Sequence, residues 1–398
     1  MWEEKPKNLD TLSLFSPPPM LKGYMYGAQE AHQARNSNKL LAIRLETNKS
    51  CNLRCRYCYA RGGESSASMN WITARRAIDV MAECFDGFKI QFTGGEPLLN
   101  LGLIERAVDY LDEMGLQVPC QVQTNATLIT PDVAGRLQSL KIGIGVSLDG
   151  PPSVNDRIRP FSSGRGGSTK SALNGIMALR EAGIRVGATC VLTRANAGAL
   201  AGLVELCSYL GNIEGIAIDF LRQAGRGDSS MQPDAAVASR SIEAAIERAE
   251  GLAQMGGSLV RFRELERMRN TVEEGRERLH HCYFDACRSV VVMPGGEAFA
   301  CPSMLRPELR LGNIEEPDFA KGLIDRMVRA RRSVQDPQEC RTCRDRWLCG
   351  GPCLAHCVPE SNLAIECAVK RAFMRHLRSS SLIPPSTISL LKTQSSSE

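Results

Sequence analysis

The chain has 398 residues, of which 43% are hydrophobic, so it can bury a large core and still leave residues for a second, smaller domain. Its formal net charge of +5 is small for this length. We interpret the arginine clusters at 261–269 and 326–332 as solvated helix faces and expect no nucleic-acid partner. No stretch approaches the roughly 18 uninterrupted apolar residues of a membrane span, and the polar start MWEEKPKNLD differs from a secretory signal. The sequence therefore predicts a cytoplasmic protein with no membrane partner.

Sixteen cysteines are unusual for a chain of this predicted location. The cytoplasm keeps thiols reduced, so these residues do not indicate a disulfide framework. Three lie between Cys51 and Cys58, and nine lie between Cys282 and Cys367. Such clustering indicates metal binding. The other four are expected to pack in the core as small apolar side chains: Cys84, Cys120, Cys190 and Cys207.

The pattern of apolar residues predicts an N-terminal arm over 1–38, followed by six strand–helix units over 39–256. Apolar strands that alternate with amphipathic helices indicate an α/β fold, with a parallel sheet covered by helices. Periodicity alone leaves open whether this sheet is an open doubly wound sheet or a partial barrel. The predicted strands are 40–46, 89–92, 121–124, 142–148, 186–193 and 215–221, and the predicted helices are 71–85, 101–114, one from 130, 168–182, 197–210 and 234–255.

The composition changes after the sixth unit. Residues 257–281 are predicted to form a charged connector. Residues 282–378 are rich in Cys, Gly and Pro and predict a small domain organised by metal. The tail over 379–398 is polar, and we expect it to be disordered.

The first cysteine cluster follows the first predicted strand and reads Cys51-Asn-Leu-Arg-Cys55-Arg-Tyr-Cys58. Three thiolates can hold three corners of a cubane iron–sulfur cluster, which leaves one iron open to another ligand. The alternative is a zinc site completed by a distant histidine. Zinc sites usually use paired Cys-x2-Cys or Cys/His spacings, which this run does not match.

This spacing, with Tyr57 before the last cysteine, resembles the signature of the radical S-adenosylmethionine (SAM) superfamily. The resemblance implies a partial (β/α)6 barrel of the TIM type. It also implies that a [4Fe-4S] cluster on Cys51, Cys55 and Cys58 binds SAM and cleaves it reductively to a 5′-deoxyadenosyl radical, which abstracts a substrate hydrogen.

Further motif positions fall at the carboxyl ends of predicted strands, where α/β sheets gather their chemistry. Gly94-Gly95-Glu96-Pro97 resembles the GGEP motif that binds the methionyl amino group of SAM. Two glycines allow a close backbone approach, and a glutamate can accept hydrogen bonds from an ammonium. The resemblance implies further SAM contacts from Tyr57, Asn125, Ser147 and Asp149.

The C-terminal cysteines resemble the SPASM domain of radical enzymes that modify peptides and proteins. One or two zinc ribbons are the alternative. The resemblance implies two auxiliary [4Fe-4S] clusters, one on Cys282, Cys287, Cys301 and Cys353 and the other on Cys340, Cys343, Cys349 and Cys367. Cys357 is left over. It could be a spare thiol, which the spacing favours, replace Cys367, or take part in substrate chemistry.

The stretch 147–168 resembles anaerobic sulfatase-maturating enzymes and peptide maturases. Sulfatase maturases carry an acidic residue directly after the cysteine that corresponds to Cys301, and here that position is Pro302. We therefore expect a peptide or protein substrate that gains a thioether or carbon–carbon crosslink. The alternatives are maturase-like oxidation of Cys or Ser, small-molecule cofactor biosynthesis, and a non-catalytic metal-binding scaffold, against which Glu96 argues.

The resemblance also implies two kinds of protein partner. An electron donor such as flavodoxin or ferredoxin is expected to reduce the first cluster. The residues before the first strand are too few for the leader-binding module of some peptide maturases. Leader recognition is therefore expected from a separate binding protein or from the surface of the chain.

Overall fold

The computed structural model describes residues 41–164, 166–357 and 363–379, which contain one ten-stranded sheet in the order β10-β9-β8-β1-β2-β3-β4-β5-β6-β7. Strands β1 to β7 run parallel, and β8 pairs in parallel with the other edge of β1. The antiparallel strands β9 and β10 complete that side. The predicted arm and nearly all of the predicted tail lie outside the described residues.

The strands and helices follow one another in regular βα order through the first six strands. The strands are β1 (Leu41–Asn48), β2 (Phe88–Gly94), β3 (Cys120–Thr124), β4 (Gly143–Ser147), β5 (Val186–Leu192), β6 (Ile213–Phe220), β7 (Arg261–Phe262), β8 (Ser289–Val292), β9 (Glu297–Phe299) and β10 (Arg310–Asn313). The helices are α1 (Trp71–Cys84), α2 (Leu101–Glu113), α3 (Pro131–Ser139), α4 (Pro152–Ile158), α5 (Thr169–Glu181), α6 (Leu200–Leu210), α7 (Ala235–Gln254), α8 (Arg263–Glu273), α9 (Leu323–Arg332), α10 (Gln338–Arg341), α11 (Arg346–Cys349) and α12 (Leu363–Ser379).

The strands have one apolar and one polar face. In β1, Leu41, Ile43 and Leu45 belong to the buried core, whereas the alternating residues Ala42 and Arg44 line an internal cavity. Side chains alternate between the two faces of a strand, so this pattern packs helices outside the sheet and leaves polar groups inside it. The six predicted βα units and the partial-barrel fold class are confirmed.

The sheet continues beyond the predicted barrel. Residues Ala42 to Leu45 of β1 pair with Ser289 to Val292 of β8, so the sheet runs across the predicted boundary at residue 282. The predicted connector contains β7 and the helix α8. Strands of two to four residues carry too little periodicity to be seen in the sequence.

The prediction that the arginines at 326–332 form a solvated face is wrong for Arg331. This side chain on α9 is buried, with Nε 2.8 Å from Asp285 Oδ1 and one terminal nitrogen 2.7 Å from Asp336 Oδ1. A buried cation is tolerated when carboxylates pair with it. The helix therefore uses an arginine to hold the cysteine-rich region together.

None of the described helices is long and apolar enough to cross a membrane.

Gly175 allows helix α5 to lie directly on the backbone after β3. A Cβ at Gly175 would stand 2.1 Å from the carbonyl oxygen of Ala126, whereas a Cβ at Gly135 in α3 would meet nothing within 4 Å. Gly175→Ala should therefore destabilise the protein by about 1–3 kcal/mol through overpacking. Gly135→Ala should stabilise it by up to about 1 kcal/mol through helix propensity. Chemical denaturation of both variants tests this, and equal effects would contradict the packing explanation.

Candidate active site

Cys51, Cys55 and Cys58 lie together on the loop that follows β1. Burial raises the pKa of Cys51 to about 11, and the charges of Glu96 and Cys55 act in the same direction. Burial likewise raises the pKa of Cys55, with a further contribution from Cys58. Buried thiolates at these positions would need a compensating positive charge, such as a bound metal would supply.

This cysteine loop is fixed by backbone hydrogen bonds to the segment after α4. The amide of Arg54 donates to Pro160 O at 2.8 Å, and the amide of Arg56 donates to Ile158 O at 2.9 Å. Leu53 and Phe161 form an antiparallel bridge between the same segments. The loop is therefore held in an extended, strand-like conformation along this part of its length.

The Gly94-Gly95 turn at the end of β2 packs against the start of the cysteine loop. A Cβ at Gly94, where φ is +145°, would lie 2.2 Å from Asn48 O, and one at Gly95 would lie 2.1 Å from Ser50 O. The amide of Gly95 donates to Asn48 O at 2.8 Å. Only glycine allows this approach at both positions.

Glu96 is buried directly behind this turn. Its Oε1 accepts hydrogen bonds from Thr124 Oγ1 at 2.6 Å and from the amide of Leu98 at 3.2 Å, and its Oε2 accepts one from the amide of Asn125 at 2.8 Å. Burial raises the pKa of Glu96, and these hydrogen bonds oppose the rise. A carboxylate has about four acceptor positions, so one remains for another donor.

The side chains predicted at the ends of β3 and β4 also contact neighbouring groups. Asn125 Nδ2 donates to Asn52 Oδ1 at 2.9 Å, which connects the end of β3 to the cysteine loop. Ser147 Oγ accepts a hydrogen bond from Gln123 Nε2 at 3.2 Å. Pro97 begins a short 3₁₀ turn over 97–100.

Asp149 and Tyr57 form a buried cluster with Arg159, which the sequence analysis missed. The Tyr57 hydroxyl donates to Asp149 Oδ2 at 2.5 Å, and the Arg159 guanidinium hydrogen-bonds to the same hydroxyl and lies 3.5 Å from Asp149 Oδ2. The amide of Val191 donates to Asp149 Oδ1 at 2.8 Å. The Asp149 carboxylate is thus occupied by protein groups and connects β4, β5 and the cysteine loop.

A single internal cavity of about 1730 Å³ brings most of the predicted residues together. Pro97 and Asp149 are not among its lining residues, and neither are Cys287 and the cysteines at 340–349 and 367. The predicted residues that line it are Cys51, Cys55, Tyr57, Cys58, Gly94, Gly95, Glu96, Asn125, Ser147, Cys282, Cys301 and Cys353.

Cys282, Cys301 and Cys353 form one group at the C-terminal side of this cavity. Burial raises the pKa of Cys353 well above its usual range, and the nearby Cys282 and Cys301 add to the rise. Cys287 lies on the same turn as Cys282, with a φ of +54°. Its amide donates to Phe284 O at 2.9 Å.

Cys340, Cys343, Cys349 and Cys367 form the second C-terminal group. Burial raises the pKa of Cys340 to about 12, and the other three members of the group contribute to the rise. Cys357 lies close to the group, since Cys340 also contributes to raising its pKa, after burial and Glu366. The division of the C-terminal cysteines into two ligand sets, which the resemblance implies, stays a prediction.

Within the described ranges, no three His, Cys, Asp or Glu side chains are placed to hold a single metal ion.

A buried network that the sequence did not indicate connects the two C-terminal groups. Glu366 Oε1 accepts a hydrogen bond from the amide of Cys353 at 3.0 Å and pairs with Lys370 Nζ at 2.9 Å. Glu366 Oε2 lies 3.0 Å from His356 Nδ1. These residues come from α12 and from a segment with little periodicity, so no pattern could bring them together.

A second unexpected pair lies at the end of β6. Arg222 forms two hydrogen bonds to Asp219, at 2.9 and 3.2 Å, and its guanidinium stands 4.8 Å from the ring centre of Tyr59. Although burial acts to raise the pKa of Asp219, Arg222 and His356 lower it to about 2. The pair therefore lies between the first cysteine loop and the C-terminal cysteines.

The family model of the radical SAM superfamily matches residues 45–206. An uncharacterised protein of Methanocaldococcus jannaschii, MJ0907, is 32% identical over 279 residues, which cover 70% of this chain and 90% of that protein. The Fe-coproporphyrin III synthase of Methanosarcina barkeri is 30% identical over 211 residues, which cover 52% of this chain and about half, 51%, of the relative.

The fold is also that of a solved maturase. The structure of the anaerobic sulfatase-maturating enzyme anSMEcpe, with bound AdoMet and the Cp18Cys peptide, superimposes with a TM-score of 0.72 at 19% sequence identity. The match covers 85% of this chain and 96% of that one. The matching family model, together with a relative that is 32% identical and 90% covered, shows that the chain belongs to the radical SAM superfamily and is a radical SAM enzyme.

Proposed function

We propose that this radical SAM enzyme abstracts hydrogen from a peptide or protein and forms a thioether or carbon–carbon crosslink in it. The observation that carries the radical chemistry is the shared cavity. Cys51, Cys55 and Cys58, the Gly94-Gly95 turn and Glu96 all line it. A cluster and SAM bound there would therefore face the space in which a substrate can lie.

The residues suit the cofactors they are proposed to hold. Three thiols lie on one loop and line one cavity, and a four-iron cluster held by these three alone would keep one iron open for SAM. The glycine turn presents bare backbone beside the loop, where side chains would collide. Glu96 keeps one acceptor position for the methionyl ammonium of SAM.

When bound and reduced, the cluster supplies the electron that cleaves SAM to the hydrogen-abstracting radical. The contribution of the chain is to position and shield these groups. Asn125 and its partner Asn52 fix the loop against β3. Asp149, Tyr57 and Arg159 fix it against β4 and β5. Preorganised contacts of this kind hold reacting groups in place without rearrangement during the reaction.

We further propose that the two C-terminal cysteine groups hold auxiliary [4Fe-4S] clusters. One cluster would be held by Cys282, Cys301 and Cys353, with Cys287 as the fourth ligand. The other would be held by Cys340, Cys343, Cys349 and Cys367. Cys282, Cys301 and Cys353 line the same cavity as the radical site. Because four protein ligands leave no iron open, a cluster in this position suits electron transfer to or from the substrate.

Two features support a peptide as substrate and a crosslink as product. The fold is shared with anSMEcpe, whose structure contains a bound peptide. Pro302, which follows Cys301 in the cavity wall, offers no proton acceptor, so the oxidation performed by sulfatase maturases is not favoured. The proposed partners are an electron donor such as flavodoxin or ferredoxin, and a separate leader-binding protein where the substrate has a leader.

A tetrapyrrole carrying carboxylates is the second candidate substrate. Fe-coproporphyrin III synthase, as its name says, makes such a compound, and it is similar to half of this chain. Arg44 lines the cavity beside the neutral amide of Gln91 and would suit an anionic substituent. Mass spectrometry separates the candidates. A crosslinked peptide loses about two mass units with two hydrogens, whereas a changed porphyrin with no peptide turnover contradicts the first proposal.

Replacing Cys51, Cys55 and Cys58 together with alanine should abolish formation of 5′-deoxyadenosine, because no thiolate remains to hold the SAM-binding cluster. Anaerobic assays with a strong reductant and chromatography of the products measure this. Cys84→Ala, outside all three groups, is the matched control and should keep the activity. Product formation by the triple variant would show that the radical assignment is wrong.

Replacing Glu96 with glutamine should weaken SAM binding roughly tenfold to over a hundredfold, since a charge-assisted hydrogen bond contributes about 1.5–3 kcal/mol. Titration of SAM against the cluster spectrum measures the change. Thr124→Val removes one hydrogen bond to Glu96 but keeps its charge, so we expect a smaller loss. A Glu96→Gln variant that binds SAM as tightly as the unmodified protein would refute the role of the carboxylate.

Replacing Tyr57 with phenylalanine should destabilise the cysteine loop by about 1–3 kcal/mol, because Asp149 and Arg159 lose the hydroxyl between them. The cluster should then lose iron to a chelator faster. Tyr59→Phe, which keeps the ring beside Arg222, is the control. Equal rates of iron loss in the two variants would argue against an anchoring role for the hydrogen bond between Tyr57 and Asp149.

A further inference from the structure

Three glycines leave part of one wall of the barrel interior without side chains. Gly143 and Gly145 of β4 and Gly187 of β5 line the cavity, and Gly145 pairs in register with Gly187. None of the three has a positive φ. Their backbone conformation would therefore accept any residue, and glycine in a strand costs about 0.5–1 kcal/mol relative to alanine.

Packing does not require these glycines either. A Cβ at Gly187 would meet nothing within 4 Å, and one at Gly143 would meet its nearest atom at 3.7 Å. At Gly145 the close contact is the movable amide of Gln123, at 2.3 Å. Glycine within a strand often marks a place where a ligand approaches the backbone closely. The wall is therefore suited to a wide ligand group.

His356 supplies an independent sign of a ligand in the same cavity. The side chain is 1% exposed and lines the cavity, and within the part of the chain that the structure describes its Nε2 has no hydrogen-bond partner. Glu366 at Nδ1 and the edge-on ring of Phe220 fix the imidazole. A buried polar atom without a partner costs about 1–3 kcal/mol, which a ligand atom would recover.

The opposite wall of the cavity carries positive charge. Arg44 on β1 donates through Nε and one terminal nitrogen to the neutral amide oxygen of Gln91, at 3.0 and 2.6 Å. Because the Gln91 amide is neutral, Arg44 brings a cation to the cavity lining that suits an anionic ligand.

We propose that the barrel interior is a binding site for a wide, carboxylate-bearing part of the substrate. This group lies against the bare wall of Gly143, Gly145 and Gly187, contacts His356 Nε2 and directs its carboxylate to Arg44. The inference rests on the proposed function, since it concerns the substrate of that radical site. Two sources share this chemistry, the acidic side chains of a peptide and the propionates of a tetrapyrrole.

The test is equilibrium binding of two pairs of probes to the full-length, cluster-loaded protein. One pair is a tetracarboxylic porphyrin and its tetramethyl ester. The other is a labelled hexaglutamate peptide and its glutamine counterpart. We expect one of the acids to bind at least tenfold more tightly than its neutral form, and the acid that binds identifies the source. Arg44→Gln should remove the preference for the acid.

Gly187→Leu should weaken that acid at least tenfold, because its side chain occupies the space of the ligand. Gly251→Leu on α7 is the matched control, since a Cβ there also meets nothing within 4 Å and Gly251 is not among the cavity-lining residues. Thermal unfolding of both variants checks their folding, and Arg44→Gln still tests the proposal if Gly187→Leu does not fold. Unchanged binding by Gly187→Leu would overturn the proposal.

Binding of neither acid, or equal binding of acid and neutral forms, would also overturn it. Cleavage of SAM by the unmodified protein is measured in the same preparation. A protein that cleaves SAM but binds neither acid contradicts this inference alone. A protein that binds an acid but never cleaves SAM contradicts the proposed function instead.

Discussion

The close approach of two backbone segments is the constraint on which the active site depends. The Gly94-Gly95 turn lies against Asn48 and Ser50 at distances that leave no room for a Cβ. This contact fixes the start of the cysteine loop at the carboxyl end of β2 and brings Glu96 beside Cys51. The remaining anchors, from Asn125 and from the cluster of Tyr57, Asp149 and Arg159, then hold the rest of the loop above the barrel.

The cavity that results has two different walls, and this asymmetry connects fold to function. Strands β1 to β3 present Arg44 and glutamines, whereas Gly143 and Gly145 of β4 and Gly187 of β5 present bare backbone. The three cysteines proposed for the radical cluster line this cavity, and so do Cys282, Cys301 and Cys353. A substrate in this space would lie within reach of both groups, which suits a reaction that removes a hydrogen atom and then an electron.

The sequence predicted the features that depend on short-range order. The six βα units follow from periodicity, and Glu96 and the first three cysteines follow from a motif within 46 to 97. The sequence could not reveal contacts between distant segments. Arg159 reaches Tyr57 across 102 residues, and Glu366 reaches the amide of Cys353 only because α12 folds back on the cysteine-rich region. Strand β8, with four residues, was too short to predict. Arg331 was wrongly assigned to a solvated face because its buried partner Asp285 lies in a distant segment of the chain.

The central claim is that one cluster has an open iron for SAM and that two others are fully held by protein thiolates. Mössbauer spectroscopy of the protein reconstituted anaerobically with ⁵⁷Fe, before and after addition of SAM, tests it most directly. The account predicts about twelve irons per chain in three four-iron clusters, with one iron site whose spectrum changes when SAM binds. About four irons together with stoichiometric zinc, or a spectrum that SAM leaves unchanged, would contradict it.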